Sequence, residues 1–167
     1  AKAVNFGIVY GQQAFGLGQS LHIPMCEAQE MIDRYYEAYP GVRSYLDKTV
    51  EDARVDGYAV TMFGRKRHIP DIHSKNSNLR SFGERTAMNH PMQGSAADII
   101  KMAMIEVARE LREGGFAAKM VLQVHDELDF ECPVEERERL EEMVERVMNG
   151  VVATDAPMRA DVSFGDN

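Results

Sequence analysis

Two adjacent carboxylates lie between two apolar segments in the stretch QVHDEL, residues 123–128. The flanking residues favour β-strands, so the pattern predicts a hairpin whose turn displays Asp126 and Glu127 together, with His125 beside them. Carboxylate oxygens are the ligands that Mg²⁺ prefers, and a neighbouring imidazole could position a phosphate or a terminal hydroxyl. Acidic residues are also common on solvent-exposed turns, so the spacing alone leaves a purely structural role open.

One pair of carboxylates does not make a two-metal site. Nucleotidyl transfer on two ions about 4 Å apart needs bridging acids from at least two chain segments. Asp98, Asp155 and Asp161 are available in the sequence, but none has a context that marks it as the partner.

A second candidate set consists of one arginine and two amides. Arg85, Asn89 and Gln93 follow one another at intervals of four residues, so they share one face if the helix around them is continuous. An arginine with two amides can bind phosphate, sugar and base edges. An ordinary polar helix face has the same spacing and stays an alternative.

A third set occupies the start of the chain. Lys2, Phe6 and Tyr10 repeat the four-residue spacing and put a cation, a flat ring and a phenol along one ridge. These groups could meet a phosphate, a base or sugar, and a template base. An aromatic stripe with helical spacing is also typical of a core-facing surface.

The charge is distributed unevenly along the chain. The net charge is -8, yet residues 65–85 hold six Lys or Arg against two acids, and residues 127–150 hold nine acids against three arginines. Only the basic stretch could bind phosphates. A noncatalytic nucleic-acid-binding module would use its basic side chains, which are Arg65, Lys66, Arg67, Arg80 and Arg85.

Length and composition limit the class of protein. A chain of 167 residues with 44% hydrophobic residues can build one sizeable core or two small lobes. No apolar run reaches the roughly 20 residues that span a bilayer, so we expect no membrane partner. Cys26 and Cys132 lack the spacing of a zinc site or a disulfide framework, which fits a reducing cytoplasm.

The order of predicted elements indicates an α+β fold that is mainly helical with a small antiparallel sheet. Pro91 predicts a kink or a break near residues 89–94, and Gly11, Gly16 and Gly18 predict a break after the first helix. The predicted elements are helices at 1–10, 24–39, 42–55, 77–113 and 134–148, hairpins at 58–72 and 119–132, and a strand at 158–164.

Five long stretches resemble the bacterial DNA polymerase I family, the family A DNA polymerases, in their order and approximate spacing. These are AKAVNFGIVYG, YYEAYPGVRSYL, GRKRHIPDI, ERTAMNHPMQGSAADIIK and LQVHDEL. The resemblance covers essentially the whole chain, and several unusual motifs in one order are much more specific than any single motif. It implies the end of the fingers at residues 1–57 and part of the palm at residues 58–167, with the catalytic hairpin at 119–132.

The resemblance implies a role for each candidate residue in template-directed DNA synthesis from deoxynucleoside triphosphates (dNTPs). Asp126 resembles a catalytic metal-binding aspartate and Glu127 its acidic neighbour, both counted as metal ligands in a site that holds two Mg²⁺ ions in the complete enzyme. Lys2 resembles the catalytic residue that contacts the triphosphate. Phe6 and Tyr10 would pack near the new base pair, and a Phe at position 6 implies discrimination against nucleotides that lack a 3′-hydroxyl. The implied DNA contacts are Arg80, Arg85, Asn89, Gln93, Gln123 and His125. His125 is also an implied contact of the nucleotide.

The departures from the family pattern lead to further expectations. The other catalytic aspartate of the family belongs to a motif upstream of residue 1, and residues 1–10 begin without a helix cap. We therefore expect an inactive fragment of a longer enzyme, whose uncovered apolar surface favours self-association. Lys66, His68 and His90 depart from the family pattern at positions where we expect no catalytic role.

One alternative remains besides the binding module. His125, Asp126 and Glu127 could form a metal-dependent phosphoesterase, which has no need for the Lys2, Phe6 and Tyr10 ridge.

Overall fold

The computed structural model describes residues 2–165, with side chains from residue 4 onward. The chain divides into two compact units, Ala1–Ser95 and Ala96–Asn167. The α+β prediction is confirmed: helices dominate, and two separate two-stranded antiparallel sheets complete the fold. The helices and strands are α1 (Lys2–Val9), α2 (Ala14–Leu21), α3 (Met25–Ala38), α4 (Pro40–Asp56), β1 (Tyr58–Val60), β2 (Lys66–His68), α5 (Ser77–Glu113), β3 (Lys119–Val124), β4 (Glu127–Glu131) and α6 (Arg137–Gly150).

The first three helices pack around a small apolar cluster in the first unit. Gly11 ends α1 with a φ of 76°, as expected, but Gly16 and Gly18 lie inside α2 instead of breaking it. Close packing explains this difference at Gly18, where an added Cβ would lie 3.0 Å from the carbonyl oxygen of Ile23. The buried members of the cluster are Ile8, Ala14, Leu17, Ala28 and Ile32.

The hairpin of β1 and β2 follows α4 and packs on a second cluster of the first unit. Its strands pair from Tyr58 opposite His68 to Val60 opposite Lys66, and Gly64 in the turn has a φ of 84°, as the sequence predicts. The cluster contains Val50, Ala53, Ala59, Ile69, Ile72 and Ala87.

The helix α5 is unbroken over its 37 residues, so of the kink or break expected near residues 89–94 the break is wrong, and the kink stays a prediction. A proline removes one backbone hydrogen bond, but tertiary contacts can hold the helix on both sides of it. Ala87, His90 and Ser95 are all buried around Pro91, and the Ser95 hydroxyl donates a hydrogen bond to the Pro91 carbonyl oxygen.

The second unit contains the end of α5, the hairpin of β3 and β4, and α6. Its core consists of Val107, Leu111, Ala118, Leu140, Met143, Val144 and Val147. Within the described residues no strand forms at 158–164, so that prediction is wrong. The segment is held by side-chain contacts: the Ala160 amide donates to Asn149 Oδ1 at 2.7 Å, and the Arg137 guanidinium lies 4.1 Å from the Phe164 ring centroid.

None of the helices in the described range is both long enough and apolar enough to cross a membrane.

Candidate active site

The exposed face of α1 carries the aromatic ridge. Phe6 has 49% of its surface exposed and Tyr10 is half-buried, with their ring centroids 5.9 Å apart and the rings inclined at 33°. Ile8 is 1% exposed and supplies the core contact of the helix. Phe6 is therefore not a core residue. Lys2 begins α1, and its side chain lies outside the described residues.

A cavity of about 490 Å³ opens beside the turn between α1 and α2. In its wall the Arg43 guanidinium lies 5.1 Å from the Tyr36 ring centroid, and Arg43 Nε donates to Asp47 Oδ2 at 2.7 Å. Burial raises the pKa of the Tyr36 phenol, and the hydrogen bond to Asp47 raises the pKa of Arg43. No sequence pattern marks this cavity, because its lining comes from several separate elements.

The helix α5 is unbroken, so the predicted four-residue spacing of its arginine and two amides is preserved. Arg85 and Gln93 are exposed, and Asn89 is half-buried between them. Asn89 Oδ1 is buried and accepts no hydrogen bond from any described residue. Arg80 is only partly exposed, since its Nη1 donates to the Ser74 carbonyl oxygen at 3.0 Å. The structure thus brings Arg85, Asn89 and Gln93 onto one helix face.

The hairpin of β3 and β4 displays the acidic pair of the second unit. Val124 pairs with Glu127, so the turn consists of His125 and Asp126, and Glu127 is the first residue of β4 instead of a turn residue. His125 has a φ of 54°, and Gln123 Nε2 donates to its carbonyl oxygen at 2.6 Å. All five of these side chains are exposed. Gln123 and His125 are therefore linked directly at the tip that carries Asp126.

The entry to β3 is held by a carboxylate that the sequence patterns do not mark. Glu136 accepts hydrogen bonds from the amides of Ala117 and Ala118, each at 2.9 Å, and these bonds lower the pKa of the Glu136 carboxyl. Nearby, Arg139 Nη2 donates to the Gly114 carbonyl oxygen at 2.6 Å. The only sequence signal was the run of acids after Pro133, which is equally typical of a solvated helix start.

The described residues contain no group of three or more His, Cys, Asp or Glu side chains that could hold a metal ion. Asp126 and Glu127 are adjacent and exposed, so they offer a partial set of the oxygen ligands that Mg²⁺ takes. Asp98 is 5% exposed in α5, whereas Asp155 and Asp161 are exposed in the segment after α6.

The chain is similar to known proteins over its whole length. Residues 1–167 match the family model described as DNA polymerase family A. DNA polymerase I of Geobacillus stearothermophilus is 53% identical over 165 residues, which are 99% of this chain and 19% of that protein. DNA polymerase I of Mycobacterium tuberculosis (strain CDC 1551 / Oshkosh) is 48% identical over 164 residues, which are 98% of this chain and 18% of that protein.

A solved structure shares the fold. The POL domain of Pol1 from M. smegmatis, in complex with DNA primer-template and dNTP, has a TM-score of 0.90 and 44% identity. The match covers 93% of this chain and 28% of that chain. The chain thus spans about a fifth of the length of the curated relatives. Since the family model matches every residue, the chain belongs to DNA polymerase family A.

Proposed function

We propose that this chain is part of a DNA-directed DNA polymerase that adds dNTPs to a primer 3′-hydroxyl and releases pyrophosphate. The observation that carries the proposal is the exposed hairpin tip, where Asp126 and Glu127 stand beside Gln123 and His125 in a family A chain. Further support comes from the structural neighbour, which is a complex with DNA primer-template and dNTP. For the complete protein we accordingly propose primer-template DNA and dNTP as partners, in a bacterial cytoplasm.

Asp126 and Glu127 are the residues that we propose as Mg²⁺ ligands. Their hard oxygens fit the ion, and their exposure leaves room for further ligands from substrate and from the rest of the enzyme. When bound there, Mg²⁺ would supply activation of the attacking hydroxyl and neutralisation of charge on the triphosphate. Gln123 and His125 would contact the primer end, and the hydrogen bond between them fixes the backbone of the turn.

The first unit supplies the other proposed contacts to nucleotide and duplex. Lys2 would neutralise the triphosphate, while the exposed ring of Phe6 and the phenol of Tyr10 offer flat surfaces for the new base pair. The primer-template would lie along the set formed by Arg80, Arg85, Asn89 and Gln93. We assign residues 1–57 to the fingers and residues 58–167 to the palm.

The proposal is tested by Asp126→Asn in the full-length polymerase. Removing a metal ligand costs several kcal/mol of transition-state stabilisation, so primer extension should fall about 10²- to 10⁴-fold while duplex binding persists. Asp129→Asn is the matched control, since Asp129 is exposed on the same hairpin three residues away. Unchanged extension by Asp126→Asn would refute the assignment of this hairpin.

The two alternatives give other results in the same assay. A binding module binds DNA without Mg²⁺ and never extends a primer, whereas a phosphoesterase cleaves phosphoesters with this chain alone. For the isolated 167 residues we expect no extension above the Asp126→Asn background, because the resemblance assigns the second catalytic aspartate to another segment.

A further inference from the structure

Buried polar groups fasten the turn of the β1–β2 hairpin to α5 beside Pro91. Thr61, His90 and Ser95 are exposed by only 4%, 8% and 7%. The Ser95 hydroxyl accepts a hydrogen bond from the Met62 amide at 3.0 Å and donates one to the Pro91 carbonyl oxygen. The Ser95 hydroxyl therefore makes one hydrogen bond to the hairpin turn and one to the helix.

His90 makes a second connection to the same turn. Its Nε2 lies 3.2 Å from the Arg65 carbonyl oxygen, and because a carbonyl oxygen only accepts, Nε2 must be the donor. The same carbonyl oxygen accepts the Thr61 amide at 3.0 Å, which closes the turn. Thr61 Oγ1 accepts the amides of Arg65 and Phe63 at 3.1 and 3.3 Å. The turn is thus closed by its own bonds, and His90 attaches it to the helix.

The contact between hairpin and helix leaves no room for a side chain at Gly94. A Cβ there would lie 2.6 Å from Thr61 Cγ2 and 2.8 Å from His90 Cε1. Both distances are well inside van der Waals contact, so the hairpin turn rests directly on the helix.

The connected segments are a basic segment whose positive charges suit phosphate binding and the α5 face that is proposed to bind the duplex. The hairpin turn leads into the basic segment Arg65–Arg67, whose side chains are all exposed. His90 lies next to Asn89 in α5, and Gly94 lies next to Gln93. The hydrogen bond from His90 to the Arg65 carbonyl oxygen joins these two surfaces 25 positions apart in the chain.

We infer that His90 is a positioning residue for DNA binding, which holds the basic segment Arg65–Arg67 in a fixed relation to the Asn89 and Gln93 face of α5. Both surfaces then contact one duplex together. The inference rests on the proposed function, since it takes primer-template DNA as the ligand. His90 itself touches no DNA in this arrangement, because the residue is buried.

The test uses the full-length polymerase and a fluorescein-labelled primer-template duplex at 50 to 200 mM salt. His90→Leu removes the donor, so binding should weaken about five- to tenfold and the slope of log K against log salt should become shallower by about one phosphate contact. The kcat at saturating duplex should stay within about twofold of wild type, since no chemical group is lost. A role in stability alone lowers the melting temperature and leaves the salt slope unchanged.

Two further variants keep the result interpretable. His90→Gln retains a terminal N–H donor and should recover at least half of the lost affinity, even if His90→Leu folds poorly. Arg67→Ala should reduce the salt slope by about one on its own, and much less in combination with His90→Leu, because residues that act through one another are not additive.

A wild-type salt slope in His90→Leu, or full additivity with Arg67→Ala, would overturn the inference. A wild-type protein that binds the duplex but never extends the primer contradicts the proposed function instead. The salt slopes of the variants still decide the role of His90 in that case.

Discussion

Phe6 and Ile8 show how one short helix separates two kinds of apolar residue. Phe6 exposes 49% of its surface and Ile8 only 1%, although both are apolar and two positions apart in α1. The tilted contact between the Phe6 and Tyr10 rings limits the orientations of Phe6 without covering it. An exposed ring held in place in this way loses little further entropy when it packs against a ligand.

Replacement of Phe6 should therefore weaken nucleotide binding. Stacking of a base on an aromatic ring is worth about 1–3 kcal/mol, so Phe6→Ala in the full-length polymerase should raise the KM for dNTP by about 5- to 150-fold. Steady-state primer extension measures this change. Phe6→Leu is the control because it keeps apolar bulk without a flat face, and a wild-type KM in Phe6→Leu would contradict a stacking role.

Local sequence patterns predicted the positions of side chains within one helix or hairpin. They did not predict burial that depends on contacts between segments far apart in the chain. The hairpin tip at Asp126 and the common face of Arg85, Asn89 and Gln93 follow from local periodicity. His90 was expected to have no catalytic role, and its sequence gave no sign of burial. Its burial depends on the Arg65 carbonyl oxygen, 25 positions away, which no local pattern contains.

At the scale of elements, the entry to β3 depends on a single carboxylate. Glu136 accepts the amides of Ala117 and Ala118, and these bonds lower the pKa of its carboxyl below the ordinary value of 4.5. A lowered pKa in the folded state means that this stabilisation is fully present above the ordinary pKa. It is lost as the pH falls through the lowered pKa.

Glu136→Gln should consequently lower the melting temperature at pH 7, and its difference from wild type should shrink below pH 4.5. Circular dichroism melting curves between pH 3 and pH 7 measure both effects. Glu135→Gln is the matched control, since it removes the same charge from the neighbouring exposed position. A difference that stays constant with pH would contradict the role of the Glu136 carboxylate.

Several elements differ from their sequence patterns for physical reasons. Pro91 lies within an unbroken helix because buried neighbours and the Ser95 hydroxyl hold the turn around it. Gly18 lies inside α2, and close packing accounts for a glycine there, since an added Cβ would lie 3.0 Å from the Ile23 carbonyl oxygen. The strand pairing also shifts between Met120 and Leu122, which indicates a bulge that hydrophobic alternation does not reveal.

At the scale of the whole molecule, charge and exposed apolar surface are the properties that matter. The basic stretch 65–85 belongs to the first unit and the acidic stretch 127–150 to the second. The net charge of -8 therefore does not represent the local charge of either stretch. Under the proposed function, DNA affinity would follow the local phosphate contacts, and the net charge of the chain would be a poor guide to it.

The isolated chain should self-associate through apolar residues of β3. Val121, Leu122 and Val124 have 52%, 55% and 41% of their surfaces exposed. An exposed apolar strand is a favourable surface for pairing with another copy. Light scattering should show a mass that rises with concentration, and Leu122→Lys should return the chain toward a monomer. A sharp monomer at all concentrations would exclude this association.

The left-handed backbone of His125 also has a consequence for evolution of the fold. Hairpin turns favour glycine at this position, and a larger residue with positive φ costs about 1 kcal/mol or more. His125→Gly should raise the free energy of unfolding by up to about 1 kcal/mol, because the unfolded-state entropy of glycine offsets part of the gain.

The same substitution should impair primer extension. His22→Gly is the control for extension: His22 has a φ of 57° at the end of α2 and belongs to none of the proposed contacts, so extension should not change. Its gain in stability should be smaller, because the substitution also removes the hydrogen bond between His22 Nδ1 and the Gln19 carbonyl oxygen at 2.9 Å. Thermal unfolding and extension assays on both variants separate the two effects. Higher stability with lower extension in His125→Gly, and unchanged extension in His22→Gly, would identify the turn as a stability–activity trade-off, with an imidazole at a position that glycine would stabilise.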